Sequence, residues 1–389
     1  MNESVLPALL PALLPGAAFF HVDEEPAYAA DGTGEHLYVH IEKEGLTTDA
    51  VVEQLAKVCG VRHDAVGFAG RKDRHAVTRQ WFSIHFGKEE QLAGLDGGKG
   101  RVQVLAISRH RNKLRLGHLA GNSFRLGLTN IADPAALQAR LNDLGRTGIA
   151  NRFGSQRFCV AGATLRAACA YGAGNPEAAI AIALDPAGVW TWGDPLPTGF
   201  RAGPEGRLLG QLRSGGTAAR ALRQSDQLVK LWASAAQSAV FNAVAEARAS
   251  SGLTHALRAG DIACTPKGAP FVVAEVDVDD VNRRVAAGIL ELFATGPLPG
   301  TTKFQPSATV VAEEQAWAAG TGVDWSWFAA KAPLESPGDR RQLVVPFRVA
   351  PTVTVVDAVT WVAFGLPSGS YATEVLTQVG VAIPDDRRG

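Results

Sequence analysis

The stretch GFAGRKDRHAVTRQW, residues 67–81, decides the reading of this chain. It opens on Gly67 and Gly70, passes through a cluster of cations around a single carboxylate, and runs into an alternating apolar pattern. Glycines accept backbone angles that a Cβ resists, so Asp73 is expected on a sharp, irregular loop that leads into a strand. Arg71, Lys72, Arg74, His75 and Arg79 flank the acid. Cations within a few ångströms favour an ionised carboxylate, suited to act as nucleophile or base, and they would also meet the anion of a polynucleotide. Neighbours in sequence do not necessarily face each other, and on residue pattern alone the ordinary reading is a solvated loop of weak ion pairs.

Outward from that loop the pattern is of mixed elements. QWFSIHF, residues 80–86, places Phe82, Ile84 and Phe86 on one face of a strand, and EHLYVHIE, residues 35–42, reads as another. Between them Thr48, followed by Val51, Val52, Leu55 and Cys59, has the spacing of a capped amphipathic helix. VQVLAIS from 102 and FRLGL from 124 add candidate strands, so the first part of the chain predicts an α+β sheet domain. Helical spacing dominates next, in the Ala-rich stretch after Ala161 and in the stripe of Leu228, Leu231, Trp232, Ala235 and Ala239, which reads as core. The Pro- and Gly-rich stretches 193–217 and 294–307 predict loops. VTVVDAVTWVAF, residues 353–364, predicts a central strand of the first domain. The middle of the chain is then an insertion: 1–150 and 341–389 form one domain, and 151–340 form a second α+β domain within it.

Length and composition agree with a chain of two or three domains. There are 389 residues, against a prior of about 150 per domain. The apolar fraction of 46% and charged fraction of 20% are those of a folded globular chain rather than a disordered one. Net charge is zero, a mild negative for nucleic-acid binding, where local patches of Lys and Arg decide affinity. Cys59, Cys159, Cys169 and Cys264 form no CxxC pair, which points away from a zinc site or a disulfide framework and toward buried free thiols in a reducing cytoplasm. The apolar N-terminus lacks a basic region and is broken by Pro7, Pro11 and Pro15, so it is expected to be folded chain rather than a signal peptide. No apolar run reaches the roughly 18 residues of a membrane span. No GxGxxG after a strand, P-loop or HExxH is present, and no cofactor or metal is expected.

GFAGRKDRHAVTRQW closely resembles the signature of the TruD family of transfer RNA pseudouridine synthases. NRFGSQRF at 151–158, RLGHLAGNSFRL at 115–126 and LPSGSYATEVL at 366–376 resemble further family blocks, in family order along the chain. The resemblance implies a pseudouridine-synthase-type mixed or antiparallel sheet as catalytic domain, assembled from both ends of the chain, with the second domain inserted. It also implies that Asp73 is the nucleophile that lets the enzyme detach uracil from its ribose, turn it and rejoin it through carbon 5, a reaction needing no cofactor. The resemblance implies transfer RNA as substrate, at uridine 13, in a cytoplasmic enzyme with no membrane or obligate protein partner and expected to be a monomer.

The resemblance carries roles onto further residues. Phe20 and Tyr371 align with aromatic positions that stack on the substrate base, and Asn122 aligns with a substrate-contacting amide. For the aromatics the ordinary alternative is core packing, and for Asn122 a turn. Lys72 and Arg74 match basic positions beside the acid, there to hold Asp73 or a phosphate, with a solvated surface charge as the alternative. Arg109, Arg111, Lys113 and Arg115 alternate, and on a strand would form one stripe of RNA-backbone contacts. Arg157, with Phe153 and Gln156, is expected to serve structure at the junction between domains, and Arg340 and Arg341 to lie where the chain returns, as candidate RNA contacts. Two positions depart from the family pattern. The basic residue usual near the N-terminus is missing, the first cation being Lys43, so either activity is reduced or another group substitutes. Cys159 stands where the family motif ends in Gly, implying an altered turn. Against the synthase stand two other readings: an RNA-binding or RNA-folding paralogue with weak or no catalysis, and a phosphate-binding carboxylate enzyme acting on a small nucleotide.

Overall fold

The computed structural model describes residues 10–95, 98, 100–197, 203–302 and 304–384. The loop expectations at 193–217 and 294–307 therefore fall partly outside the described residues, as does the start of the N-terminal segment. The chain divides into two compact units. The first comprises residues up to Ile149 together with Pro346–Pro384, and the second Ala150–Val345.

The first unit is built on a mixed sheet. Its strands are β1 (Phe20–Pro26), β2 (His36–Glu44), β3 (Val77–His85), β4 (Arg101–His110), β5 (Leu119–Thr129), β6 (Val349–Val356) and β7 (Val359–Pro367), in the spatial order β6-β7-β5-β1-β3-β2-β4. Two short strands, Ala12–Leu13 and Val66–Phe68, add to β5 and β3. Only the β1–β3 pair is parallel within this path. The fold class is α+β. The helix Thr48–Cys59 covers one face, laying Val51, Val52, Leu55 and Cys59 on Leu37, Val39, Ile41, Phe82 and Ile84. Those five sheet residues alternate along β2 and β3, which is why one face of each strand is apolar.

Three details differ from the sequence expectation here. Thr47, not Thr48, caps the helix by accepting from Ala50 N at 3.1 Å, and Thr48 turns inward instead. Phe86 leaves the alternation: the strand stops at His85, Phe86 takes φ +52°, and its ring is 67% exposed. Residues 353–364 are not one strand but two arms of a hairpin, turned by Asp357 (φ +49°) and Ala358 (φ +64°). Two successive positive φ values match the right-handed twist of a two-residue hairpin, and they place β6 at the sheet edge.

The second unit packs helices around Asp226–Ser250, where Leu228, Trp232, Ala235 and Ala239 are buried and Leu231 half-buried. A four-stranded antiparallel sheet, Pro270–Val272, Ile262–Cys264, Phe293–Leu298 and Asp339–Gln342 in that order, completes it. Both expected loops contain regular structure. Gly203–Arg213 is a helix because Leu208, Leu209 and Leu212 bury one side, and Phe293–Leu298 is a strand buried along most of its length. A bidentate Arg248–Asp261 pair, each side chain 1% exposed, links that long helix to the sheet. Cys59 and Cys264 are buried thiols as expected, but Cys169 is only half-buried and Cys159 is exposed. Cys159 has φ +56° and ψ −174°, a conformation natural to glycine. Among the described residues, no helix is long and apolar enough to cross a membrane.

Candidate active site

The loop between Phe68 and Val77 is held from beneath by three side chains of the first unit. Thr48 Oγ accepts from Lys72 N at 2.9 Å and donates to Gln80 Oε1 at 2.9 Å, and Gln80 Nε2 donates to Gly70 O at 3.1 Å. Lys43 is fully buried, and its Nζ donates to Leu46 O at 2.7 Å and to the backbone oxygen of Asp73 at 2.9 Å. Asp73 Oδ1 accepts from His75 N at 2.8 Å, an Asx-type turn that shapes the tip. Gly67 and Gly70 act differently from expectation, since neither takes a positive φ. A Cβ on Gly67 would collide with the Leu114 carbonyl oxygen and lie 2.6 Å from Ser83 Oγ, so close approach selects glycine there.

The cations near Asp73 in sequence are mostly engaged elsewhere. Arg71 forms a two-pronged contact with Asp49 at 3.1 and 3.3 Å, Arg79 reaches Glu42 at 2.9 Å and Asp23 at 3.3 Å, and Arg74 donates to Gly45 O at 3.1 Å. Lys72 is neither solvated nor open to a phosphate: its side chain is 5% exposed and its Nζ sits 2.8 Å from Asn122 Oδ1 and 2.7 Å from Glu24 Oε2. The contact with Glu24 is an ion pair whose angle lies outside hydrogen-bond geometry. The cation brought against the loop is Lys43, which sequence proximity hides. Burial pushes its ammonium down to about 8, the Asp73 charge opposing that fall and Lys72 adding to it. The signal was in the alternation Leu37, Val39, Ile41, Lys43, which puts the lysine on the buried face of β2.

Register across β1, β5 and β7 assembles the rest. Glu24, Asn122 and Leu366 lie in one row, and Val22, Phe124 and Phe364 in the next on the same face. Asn122 is thus a strand residue, not a turn residue, and Lys72 orients its amide. Phe20 is buried, with its ring edge-on to Phe124 at 6.4 Å. Tyr371 is half-buried and precedes the helix Ala372–Gln378, four residues beyond the Pro367–Gly121 pair and so at the Asn122 end of the sheet. Phe124 and Glu24 join the candidate residues although sequence reasoning passed over them.

The expected cationic stripe does not form. Arg109 lies near the end of β4, and residues 111–118 leave the sheet because Leu114 turns in, its N–H bonded to Ser83 Oγ at 2.9 Å. Arg109 donates to the Gly34 and Gly87 oxygens, Arg111 lies 3.6 Å from Asp31, and Lys113 donates to Asp64 O. Arg115 is exposed and has no side-chain partner among the described residues. In the second unit Arg157 donates to Ser234 Oγ at 3.2 Å, and Arg341 stacks on Phe153 at 4.2 Å. Arg340, 4% exposed, is locked to Glu314 at 2.7 and 2.9 Å, which removes it from any RNA-contacting surface.

Comparison with known proteins decides the family. The family model described as tRNA pseudouridine synthase D (TruD) matches residues 17–185 and 194–379. The chain belongs to the TruD family. Among its TruD relatives, tRNA pseudouridine synthase D of Geobacter metallireducens is 34% identical over 92% of each chain. That of Pectobacterium atrosepticum is 33% identical over 92% of this chain and 89% of its own. A crystal structure of a Methanosarcina mazei protein named as a TruD superposes with a TM-score of 0.68 at 22% identity, covering 98% of this chain and 96% of the other, a likeness of fold.

Proposed function

We propose that this chain isomerises uridine to pseudouridine in transfer RNA, at position 13, with Asp73 as nucleophile on an extruded base. The observation that carries the reading is the Asp73 loop, pinned through its backbone by buried Lys43 in a member of the TruD family. An oriented carboxylate is sufficient for attack on the nucleoside, and base extrusion, at a cost of a few kcal/mol, gives it access to the glycosidic bond. Lys43 then supplies the positive charge missing from the N-terminal segment. Asn122, held by Lys72, offers an amide to the uracil edge. Tyr371 is read as the stacking aromatic at the same end of the sheet, with Phe20 supporting from the core. Arg74 and Arg115, both exposed, are read as contacts to the RNA backbone, with Arg109, Arg111 and Lys113 as the weaker part of that set. In this reading the first unit is the catalytic domain, the second the inserted domain, and the enzyme is a cytoplasmic monomer.

The test is pseudouridine mapping, nucleotide by nucleotide, in unmodified transfer RNA incubated with wild type and with Asp73→Ala. Product at uridine 13 from wild type alone is the expected result. No product from either protein, with tight and salt-sensitive binding retained, replaces this reading with that of an RNA-binding paralogue.

A further inference from the structure

At the end of β2 remote from Lys43, three side chains far apart in sequence converge. His36 opens β2 and stands directly opposite His85, the last residue of β3, in the antiparallel ladder. Opposed residues project to the same face, and the two imidazole centroids are 4.9 Å apart with planes tilted by 32°. Glu35 Oε1 lies 3.3 Å from His85 Nε2 and 3.9 Å from His36 Nε2. One ligand atom from each residue lies within 4.8 Å of the other two. The backbone fixes this corner, since Phe86 N donates to Glu35 O at 2.9 Å. The His36 ring is buried, and the nitrogen it brings toward the Glu35 carboxylate is Nε2.

We propose that Glu35, His36 and His85 bind one first-row divalent transition cation, zinc being the best match, as a staple between β2 and β3. Imidazole nitrogen with carboxylate oxygen suits zinc, whereas calcium and magnesium select oxygen ligands. Ligand bonds of about 2.0–2.1 Å place the donors of a tetrahedral zinc about 3.3 Å apart. Glu35 and His85 already have that spacing, His36 Nε2 stands about half an ångström beyond it from Glu35, and the two imidazole donors, within 4.8 Å of each other, close the remainder by movement of the half-exposed Glu35 and His85 side chains. Water completes the coordination on the exposed side. His110, opposite His36 on the other flank, is not a ligand: its ring lies against Tyr28 and Tyr38, and its Nδ1 accepts from Asn112 N at 2.9 Å. Seven residues of strand separate His36 from Lys43, about 23 Å, so the ion is structural and takes no part in chemistry at Asp73.

The test uses the full chain without an affinity tag, stripped with a chelator and titrated with zinc chloride by calorimetry. The expected result is one equivalent bound at micromolar or lower dissociation constant, weakened at least about 100-fold in His85→Ala. Zinc should raise the melting temperature of wild type but not of that variant. Cobalt chloride should give visible ligand-field bands in wild type that disappear in His85→Ala. Glu35→Gln, an exposed change that spares the sheet, provides the same comparison should the histidine variant fold poorly. Millimolar binding, or equal binding by wild type and both variants, overturns the proposal.

Discussion

Replacing Lys43 by Met separates what its charge does from what its packing does. The ammonium is fully buried with two backbone carbonyls as hydrogen-bond partners, and its acidity rises until it titrates at about 8 rather than at 10.5. The folded chain therefore binds fewer protons at this site than the unfolded chain between about pH 8 and 10.5, and stability rises with pH through that window. The cost of keeping the charge buried is full below about pH 8 and relieved above. A displacement from 10.5 to about 8, at 1.36 kcal/mol per pH unit, amounts to about 3 kcal/mol. Lys43→Met has no such group, so the stability difference, wild type minus variant, should grow by about 3 kcal/mol from pH 7.5 to 10.5 in urea unfolding. The subtraction cancels the titrating groups that do not interact with Lys43, leaving its coupling to Asp73 and Lys72 within the difference.

Activity should move the opposite way. A neutral lysine amine still has two N–H groups for the Leu46 and Asp73 oxygens, so the loop stays tethered above pH 8 while the charge beside Asp73 disappears. Turnover of wild type should then fall through about pH 8, and Lys43→Met should be flat there and about 100-fold slower at pH 7, the scale expected for a catalytic group displaced by an ångström. Affinity for transfer RNA should change little. A stability difference that stays level with pH, or a variant with wild-type turnover and an identical pH profile, would refute the reasoning.

Lys72→Met leaves Glu24 buried without its cation and should destabilise the first unit by about 3–5 kcal/mol, read as a lower urea midpoint. Adding Glu24→Gln should recover part of that loss, and a single variant as stable as wild type would show the pair to be unimportant. Cys159→Gly relieves a backbone conformation of φ +56°, ψ −174° that glycine adopts freely, so stability should increase by about 1–3 kcal/mol by the same assay, with no gain if the strain is absent.

What was legible in the sequence depended on the distance over which each feature is decided. β2, β3 and the helix between them could be read because alternation and helical spacing are local, and each faces the same core. Residues 203–213 and 293–298 were misread because Pro and Gly outweighed the short apolar patterns that tertiary packing then used. Asp73 could be located from its own loop, but the partners of Arg71, Lys72 and Arg79 could not, since Asp49 comes from the packed helix Thr48–Cys59 and Glu24 and Glu42 from strands that only sheet register brings alongside. The Glu35–His36–His85 cluster was invisible for the same reason: a one-residue slip between β2 and β3 would turn His85 to the opposite face. Lys43 is the exception. A lysine in the inward phase of Leu37, Val39 and Ile41 must be buried if the strand is right, and burial of an ammonium is costly enough that it marks a site. Sequence density of charge draws attention to the cations beside Asp73, whereas strand phase along Leu37, Val39, Ile41 and Lys43 picks out the one that lies under it.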